Sequence, residues 1–301
     1  MNIYLLILAL TLFSIKLHAQ DDMMDLLDAE TEDVSKDPVI ATFKTTRIVN
    51  AHSIETVKAK TLDVRISHRF GDVGGASGGG IHQFYGLDNA ANIRLAAEYG
   101  VTDKLTLGLG RSKVKEHIDG YIKYGLLEQT KDNKMPISVT VFANTAVTPM
   151  AASSDTTSEL SYQKFAHRLS FTYQAIIARK ISEYISVEIL PTYLHRNYVA
   201  NGDENGLFSM GYAARIKFSR SSAFIIDYFY TFSDYRKANY DQYHSPLGIA
   251  YELETGGHVF HISFTNAAGI IENDFIPNTT SDWLNGGYKL AFTISRVVNM
   301  H

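Results

Sequence analysis

Arg65, Arg69, Arg94, Arg168 and Arg215, and the acids Glu98, Glu188 and Asp227, share a local pattern. Each charge stands between apolar or ring-bearing neighbours, as in Val64-Arg65-Ile66 and Ile226-Asp227-Tyr228. Collected on one face of a wall, such groups could do two kinds of chemistry. They could form a lumen constriction in which an arginine grips an anionic solute, or they could cross-link into ion pairs that support the wall. The wider set adds Asp63, Asp119, Lys123, Lys217, Glu252, Glu254 and Lys289, giving eight bases against seven acids. A solute-selective pore more often shows one sign in excess, so the near-balance favours cross-linking.

The histidines offer little more. His68, His167 and His195 fall on the apolar register near strand ends, and His167 and His195 are expected nearly opposite one another. No third ligand accompanies them, so rim histidines at headgroup level are expected rather than a metal site. His261 is expected as an isolated inward group. Ser67 and His68 are adjacent and must point to opposite faces of a strand, so they cannot act as a hydrolytic pair. No G-x-S-x-G elbow occurs. Gly74–Gly80 lacks the strand–loop–helix context and Gly-Lys-Ser/Thr ending of a phosphate loop. No catalytic residue, metal or cofactor is expected, and the chain is not expected to be an enzyme.

The elements that position these charges are strands. Leu62, Val64 and Ile66 alternate with Asp63, Arg65 and Ser67; Ile93, Leu95, Ala97 and Tyr99 alternate with Asn92, Arg94, Ala96 and Glu98. Alternation at period two marks a strand with different environments on its two faces. Twelve such segments are predicted, at 61–70, 90–101, 104–112, 117–128, 136–147, 165–179, 184–195, 206–219, 223–233, 246–255, 258–267 and 286–298. Their connections alternate between short and mostly longer, and Ala268–Asn285 is read as an outer loop. Short turns at one end and long loops at the other are the rhythm of an outer-membrane barrel, apolar outside and polar inside. An even strand count returns both termini to the periplasm. The expected fold is all-β, an antiparallel up-and-down transmembrane β-barrel of about twelve strands over residues 61–301. Leu169, Phe171, Tyr173 and Ile177 should face lipid, with Arg168, Ser170, Thr172 and Gln174 in the lumen.

Composition agrees. The chain has 301 residues, a net charge of −4, 18 Tyr and 16 Phe against one Trp, and no cysteine. That excludes disulfides, thiol catalysis, Cys-bound zinc and a lipid-modified N-terminal cysteine, and nothing in the charge suggests nucleic acid. After the first twenty residues no run is long and apolar enough for a membrane helix. Residues 1–19 read as a signal peptide cut near Ala19–Gln20. Residues 20–40 read as an acidic periplasmic linker, with eight acids and one lysine between Asp21 and Asp37, and could engage a periplasmic partner. Residues 41–60 are expected to form an N-terminal cap or plug. There Lys44, Arg47, His52 and Glu55 lack clean alternation, which leaves an extra strand, a periplasmic cap or a plug in the barrel mouth as the alternatives.

The strings FKTTRIVNAHSIE (Phe43–Glu55), LDVRISHRFG (Leu62–Gly71), GLDNAANIRLAAEYGVTDKLTLGLGRS (Gly86–Ser112) and DGYIKYGLL (Asp119–Leu127) resemble an uncharacterised family of outer-membrane β-barrel proteins, a domain of unknown function. The resemblance implies a barrel and an outer-membrane location in a Gram-negative-type bacterium, and it carries no activity or site residue. The final strand, GGYKLAFTISRVV, is similar to the aromatic-alternating terminal strand read by barrel-assembly machinery, without a terminal Phe. Partners expected on these grounds are outer-membrane lipid and that machinery. The functional expectation is passage or binding of a small solute. A structural or docking barrel is the alternative, and a lipid-modifying enzyme ranks third.

Overall fold

Alternating segments that cannot bury both faces against one another are satisfied by closing into a cylinder, which leaves no unpaired edge. The computed structural model describes residues 36–75, 78–155 and 158–300. The first six strands are β1 (Thr61–Asp72), β2 (Ala90–Gly100), β3 (Leu105–Ser112), β4 (Ile118–Leu127), β5 (Ser138–Val147) and β6 (Leu169–Lys180). The rest are β7 (Ile185–Arg196), β8 (Gly206–Lys217), β9 (Ser222–Phe232), β10 (Leu247–Thr255), β11 (His258–Thr265) and β12 (Lys289–Asn299). All pair antiparallel with their sequence neighbours, and β1 pairs with β12 to close the barrel. Thr61 lies opposite Asn299, so the ladder begins and finishes at the end that carries the short turns. The expected signal peptide and most of the acidic linker lie outside the described residues.

The outer face follows the alternation. Tyr173, Phe208, Tyr212, Ile216, Phe224 and Ile226 are exposed, while Ser170, Thr172, Ser209, Arg215 and Asp227 between them are buried. The inner face departs from expectation, because apolar side chains stand among its polar ones. Tyr121, Phe142, Ile176, Leu190, Leu194, Leu207, Ile225 and Phe229, contributed by β4 to β9, all turn inward and are buried. A lumen filled with water would not tolerate these side chains; they need apolar partners.

Two segments supply them. Residues 41–57 lie inside the barrel, with Phe43, Ile48, Val49 and Ile54 buried in the same cluster. The chain then passes to β1 across Gly100, where Lys60 N–H donates to the Gly100 carbonyl at 2.8 Å. A Cβ on Gly100 would stand 2.0 Å from the Lys58 carbonyl oxygen, so only glycine admits this crossing. The second segment corrects the reading of Ala268–Asn285 as an outer loop. Its first half folds inward, carrying buried Ile270, Ile271, Phe275 and Ile276 into the core. Within it a short helix covers Glu272–Asn278, four of whose first six residues are less than 3% exposed. Its apolar side chains are the physical reason, since an outer loop would expose them.

A second correction concerns the start of β6. Residues Phe165–Arg168 form a 3₁₀ turn ahead of the strand. Arg168 therefore does not face the lumen from the wall. Its guanidinium donates to the carbonyls of Thr148 (3.0 Å) and Met150 and lies over the Tyr162 ring, folding the chain across the end of β5. His167 leaves the strand with it and stacks on Tyr198, while His195 lies opposite Phe171, so the two histidines are not neighbours across the hairpin.

Candidate functional site

The barrel interior is where the charges and the two inner segments meet. Residues 41–57 make a narrow hairpin-like excursion: Arg47 and His52 bridge, Ile48 N–H donates to the Ala51 carbonyl at 2.9 Å, and Val49-Asn50 form the tip. A tight turn leaves backbone N–H groups pointing outward without partners. Asp227 on β9 meets them, accepting from the N–H of Asn50 (2.6 Å) and of Ala51 (3.1 Å), and from the Asn50 side-chain amide at 2.7 Å. The neighbouring strand position is glycine: a Cβ on Gly248 would stand 2.5 Å from Val49 Cγ1 and 2.6 Å from Asp227 Oδ1.

The four inner-segment residues singled out from the sequence all find partners in the lumen. Lys44 pairs with Glu254 at 2.8 Å in a half-exposed position. Arg47 pairs with Glu272 of the short helix at 2.9 Å and also donates to the carbonyls of Asn50 and Ile270. His52 lies against the rings of Tyr121 and Phe142, with centroids 5.1 and 4.3 Å away. Burial, reinforced by Arg47 and Lys123, lowers its pKa well below the ordinary value, and its Nδ1–H donates to the Thr46 carbonyl at 3.3 Å. The Glu55 carboxyl accepts from Phe43 N–H at 3.0 Å, and burial raises its pKa.

The wall charges fall into two sorts. Arg65 bridges Asp63 (2.7 Å) and Glu98 (2.9 Å), and Glu98 also accepts from the Thr46 hydroxyl. Arg94 forms a two-point pair with Asp119. Arg215 grips Glu252 through Nε and Nη2 at 2.9 and 2.7 Å. His261, expected as isolated, shares that carboxylate at 3.0 Å. Lys289 pairs with Asp72 at 2.5 Å. Such pairs have the geometry that offsets the desolvation of charges in a low-dielectric interior.

Arg69, Lys123 and Asp227 differ, because none of the three makes an ion pair among the described residues. Arg69 donates to the carbonyls of Val49 (3.1 Å), Ala267 (2.8 Å) and Gly269 and to Asn50 Oδ1 (2.9 Å), joining both inner segments to β1. Lys123, fully buried, donates to the carbonyls of Thr46 (3.1 Å) and Glu55 (2.5 Å). Glu188 is buried at the same end and makes no ion pair among the described residues.

Of the eight residues expected to line a constriction, seven face the interior and Arg168 does not. The seven are spread over β1, β2, β7, β8 and β9 rather than gathered in one ring. Sequence reasoning missed Glu272, Asn273 and Asp274. Asn273 bonds Ser170 (2.8 Å) and Thr172 (3.1 Å) on β6, and Asp274 faces His117 at 2.9 Å. The signal was present in the apolar residues around them. Ser67 turns inward to the Thr293 hydroxyl (3.1 Å), whereas His68 stacks on Phe292 at the outer face.

A closed twelve-strand ladder, an apolar outer face with aromatic residues and a charged, filled interior define a membrane-spanning β-barrel. The chain belongs to the membrane bound beta barrel domain family DUF5777, which it matches over residues 43–298. No curated protein matches it. Among solved structures it is similar to an outer membrane channel from Pseudomonas putida F1, with 12% identity over 83% of this chain and 100% of that one and a TM-score of 0.48. The corresponding figures for the NanC porin are 11%, 79%, 98% and 0.46. For the Acinetobacter baumannii outer membrane protein Omp33 they are 7%, 79%, 97% and 0.40.

Proposed function

We propose that the chain is a small-solute channel of the outer membrane, held shut by its own inner segments. The short-turn end and both termini face the periplasm, following the usual loop asymmetry of such barrels. The observation that carries the reading is the way the interior is closed. Residues 41–57 and the inward half of the 266–288 connection meet at Arg47–Glu272 and are tied to the wall by hydrogen bonds as well as by apolar contacts. Neither segment belongs to the strand ladder, so both can shift without breaking a strand pair.

A second reading is a permanently filled barrel that serves as a structural or docking component. The apolar packing of Phe43, Ile48 and Ile54 against Phe142, Ile176 and Ile225 favours it. Burying each such side chain contributes about 1.5–3 kcal/mol, so withdrawal of the segment into water is opposed by several of these terms together. A pocket of about 450 Å³ at the short-turn end, with Ile40, Glu55, Lys58, Glu128 and Lys131 among its lining, is where a partner would sit.

Planar-bilayer conductance separates the two. The full-length protein should conduct poorly. Deleting residues up to Lys58 should raise conductance in a barrel that still shows heat-modifiable gel mobility, and also shortening residues 267–280 should raise it further. A folded double variant that remains closed would sink the channel reading, and a wide ohmic pore in the intact protein would sink the plug.

A further inference from the structure

Arg65, Arg94, Arg215 and Lys289 are each paired with an acid of the wall. Arg69, Lys123 and Asp227 are instead satisfied by main-chain groups, and by one asparagine side chain, of what lies inside. Asp227 takes two successive backbone N–H groups, Lys123 takes two backbone carbonyls, and Arg69 takes a third from Val49. Uncharged wall groups repeat the pattern: the Thr140 hydroxyl donates to the Ile54 carbonyl at 3.0 Å, and the Thr106 hydroxyl accepts from Val57 N–H at 2.9 Å.

We propose that the barrel interior is a recognition site for peptide backbone and that residues 42–57 occupy it as an internal ligand. The solute class is then a short peptide, which would displace or replace the segment. This deepens the channel reading and rests on it. The chemistry is complementary on both sides. With the segment withdrawn, the wall presents a carboxylate suited to paired N–H donors, and a guanidinium and an ammonium suited to carbonyl oxygens. Charge-assisted bonds of this kind are stronger than neutral ones, and each is costly to leave unmade in a buried site. The apolar part of the lumen, with Phe142, Ile176, Leu190 and Ile225, takes the side chains. Selectivity for asparagine at the turn follows from its amide, which donates to Asp227 and accepts from Arg69 and from Thr265 at 3.2 Å.

The test uses two full-length variants and one peptide. Phe43→Asp sets a carboxylate in the buried apolar cluster and should release the segment without cutting the chain; Phe43→Asp combined with Asp227→Asn removes the receiving carboxylate as well. The probe is a synthetic peptide of residues 42–57, with a scrambled sequence as control, read in two ways: block of bilayer conductance and anisotropy of the fluorescently labelled peptide. In Phe43→Asp the authentic peptide should block at a concentration about tenfold or more below the scrambled one, and adding Asp227→Asn should erase most of that advantage. Equal block by authentic and scrambled peptide in a conducting barrel overturns the proposal while leaving the channel intact. Anisotropy binding that prefers the authentic peptide in a barrel that never conducts supports the recognition site and overturns the channel. Folding is checked by heat-modifiable mobility, and a Lys44→Cys variant carrying a dye, otherwise unchanged, gives an independent reading. There, excess authentic peptide should free the label, and failure to do so more than the scrambled peptide overturns the proposal even if the variants do not fold.

Discussion

Arg47 and Glu272 face one another at 2.9 Å in the middle of the barrel, both almost completely buried, although neither belongs to a strand. They lie 225 residues apart in sequence and join the two segments that fill the lumen. Removing one partner strands the other as a buried, uncompensated charge, which costs about 3–5 kcal/mol. Arg47→Ala should therefore lower the temperature at which the barrel loses its compact gel mobility. Arg47→Met together with Glu272→Leu should lower it much less. A double variant as unstable as the single one would show that the pair is not what holds the segments together.

Facing can be tested with arginine. Phe171 and Ile226 point to lipid, and an arginine on that face near the bilayer midplane costs about 2–4 kcal/mol, so Phe171→Arg or Ile226→Arg should reduce folded yield in lipid vesicles. Thr172 and Ser209 point inward, yet the interior is packed: Thr172 bonds Asn273 of the short helix. Thr172→Arg should thus insert normally and loosen the inner loop, seen as faster proteolysis between 267 and 280. Comparable insertion defects for Phe171→Arg and Thr172→Arg would reverse the assignment.

Sidedness follows from the loop rhythm. A cysteine at Ser154 or at Leu284, which is 94% exposed, should react with an impermeant thiol label on intact cells, whereas one at Asp103 or Ser221 should not. Asn278 closes the inward helix and should label slowly despite lying in a long connection. Ser77, in another long connection, lies outside the described residues. Labelling with the opposite sidedness would invert the proposed orientation.

One acid in a long loop should make the barrel rim sensitive to pH. Asp203, between β7 and β8, is bonded by Arg236 at 2.8 and 3.2 Å and by Arg196 at 3.0 Å. Burial alone would raise its carboxyl, but the bonds from Arg236 and the charges of Arg196 and Arg236 outweigh it and hold its pKa below the ordinary value. A carboxyl held low in the folded state binds fewer protons than in the unfolded chain. Its stabilisation is therefore complete above the ordinary carboxylate value, about 3.9, and is lost as pH falls through the lowered one. Pepsin should cut the 197–205 loop more readily as the medium is acidified through that window. Asp203→Asn should be susceptible throughout and show no acid step.

The wall of this barrel is legible in the sequence because a strand's two faces are written at alternate positions. Phe224, Ile226 and Tyr228 against Asp227 fix both a strand and its orientation. What fills the cylinder is not written at any period. Ile270, Ile271, Phe275 and Ile276 signal burial, but their loop has no regular spacing to say against what. Leu190, Leu194 and Phe229 read as ordinary strand residues, and only their inward register, taken with Phe43 and Ile48, reveals a second core. Arg168 was misplaced because alternation runs on past the true start of β6, where hydrogen bonds to Thr148 and Met150 redirect the chain.

The closing of β1 against β12 carries a consequence for how the protein is assembled. The two fillers are sequence neighbours of the seam: residues 41–57 lead into β1, and the inward loop leads into β12. Once those strands zip together, the hairpin tip at Asn50 is encircled by a continuous hydrogen-bonded wall, and a bulky Phe43 or Phe275 has no lateral way in. In the intact chain the contents are carried in with the strands that form the last seam. Sealing the cylinder and building its core are therefore coupled in the intact chain, and a chain cut back to Lys58 should close its barrel more slowly than the full-length one.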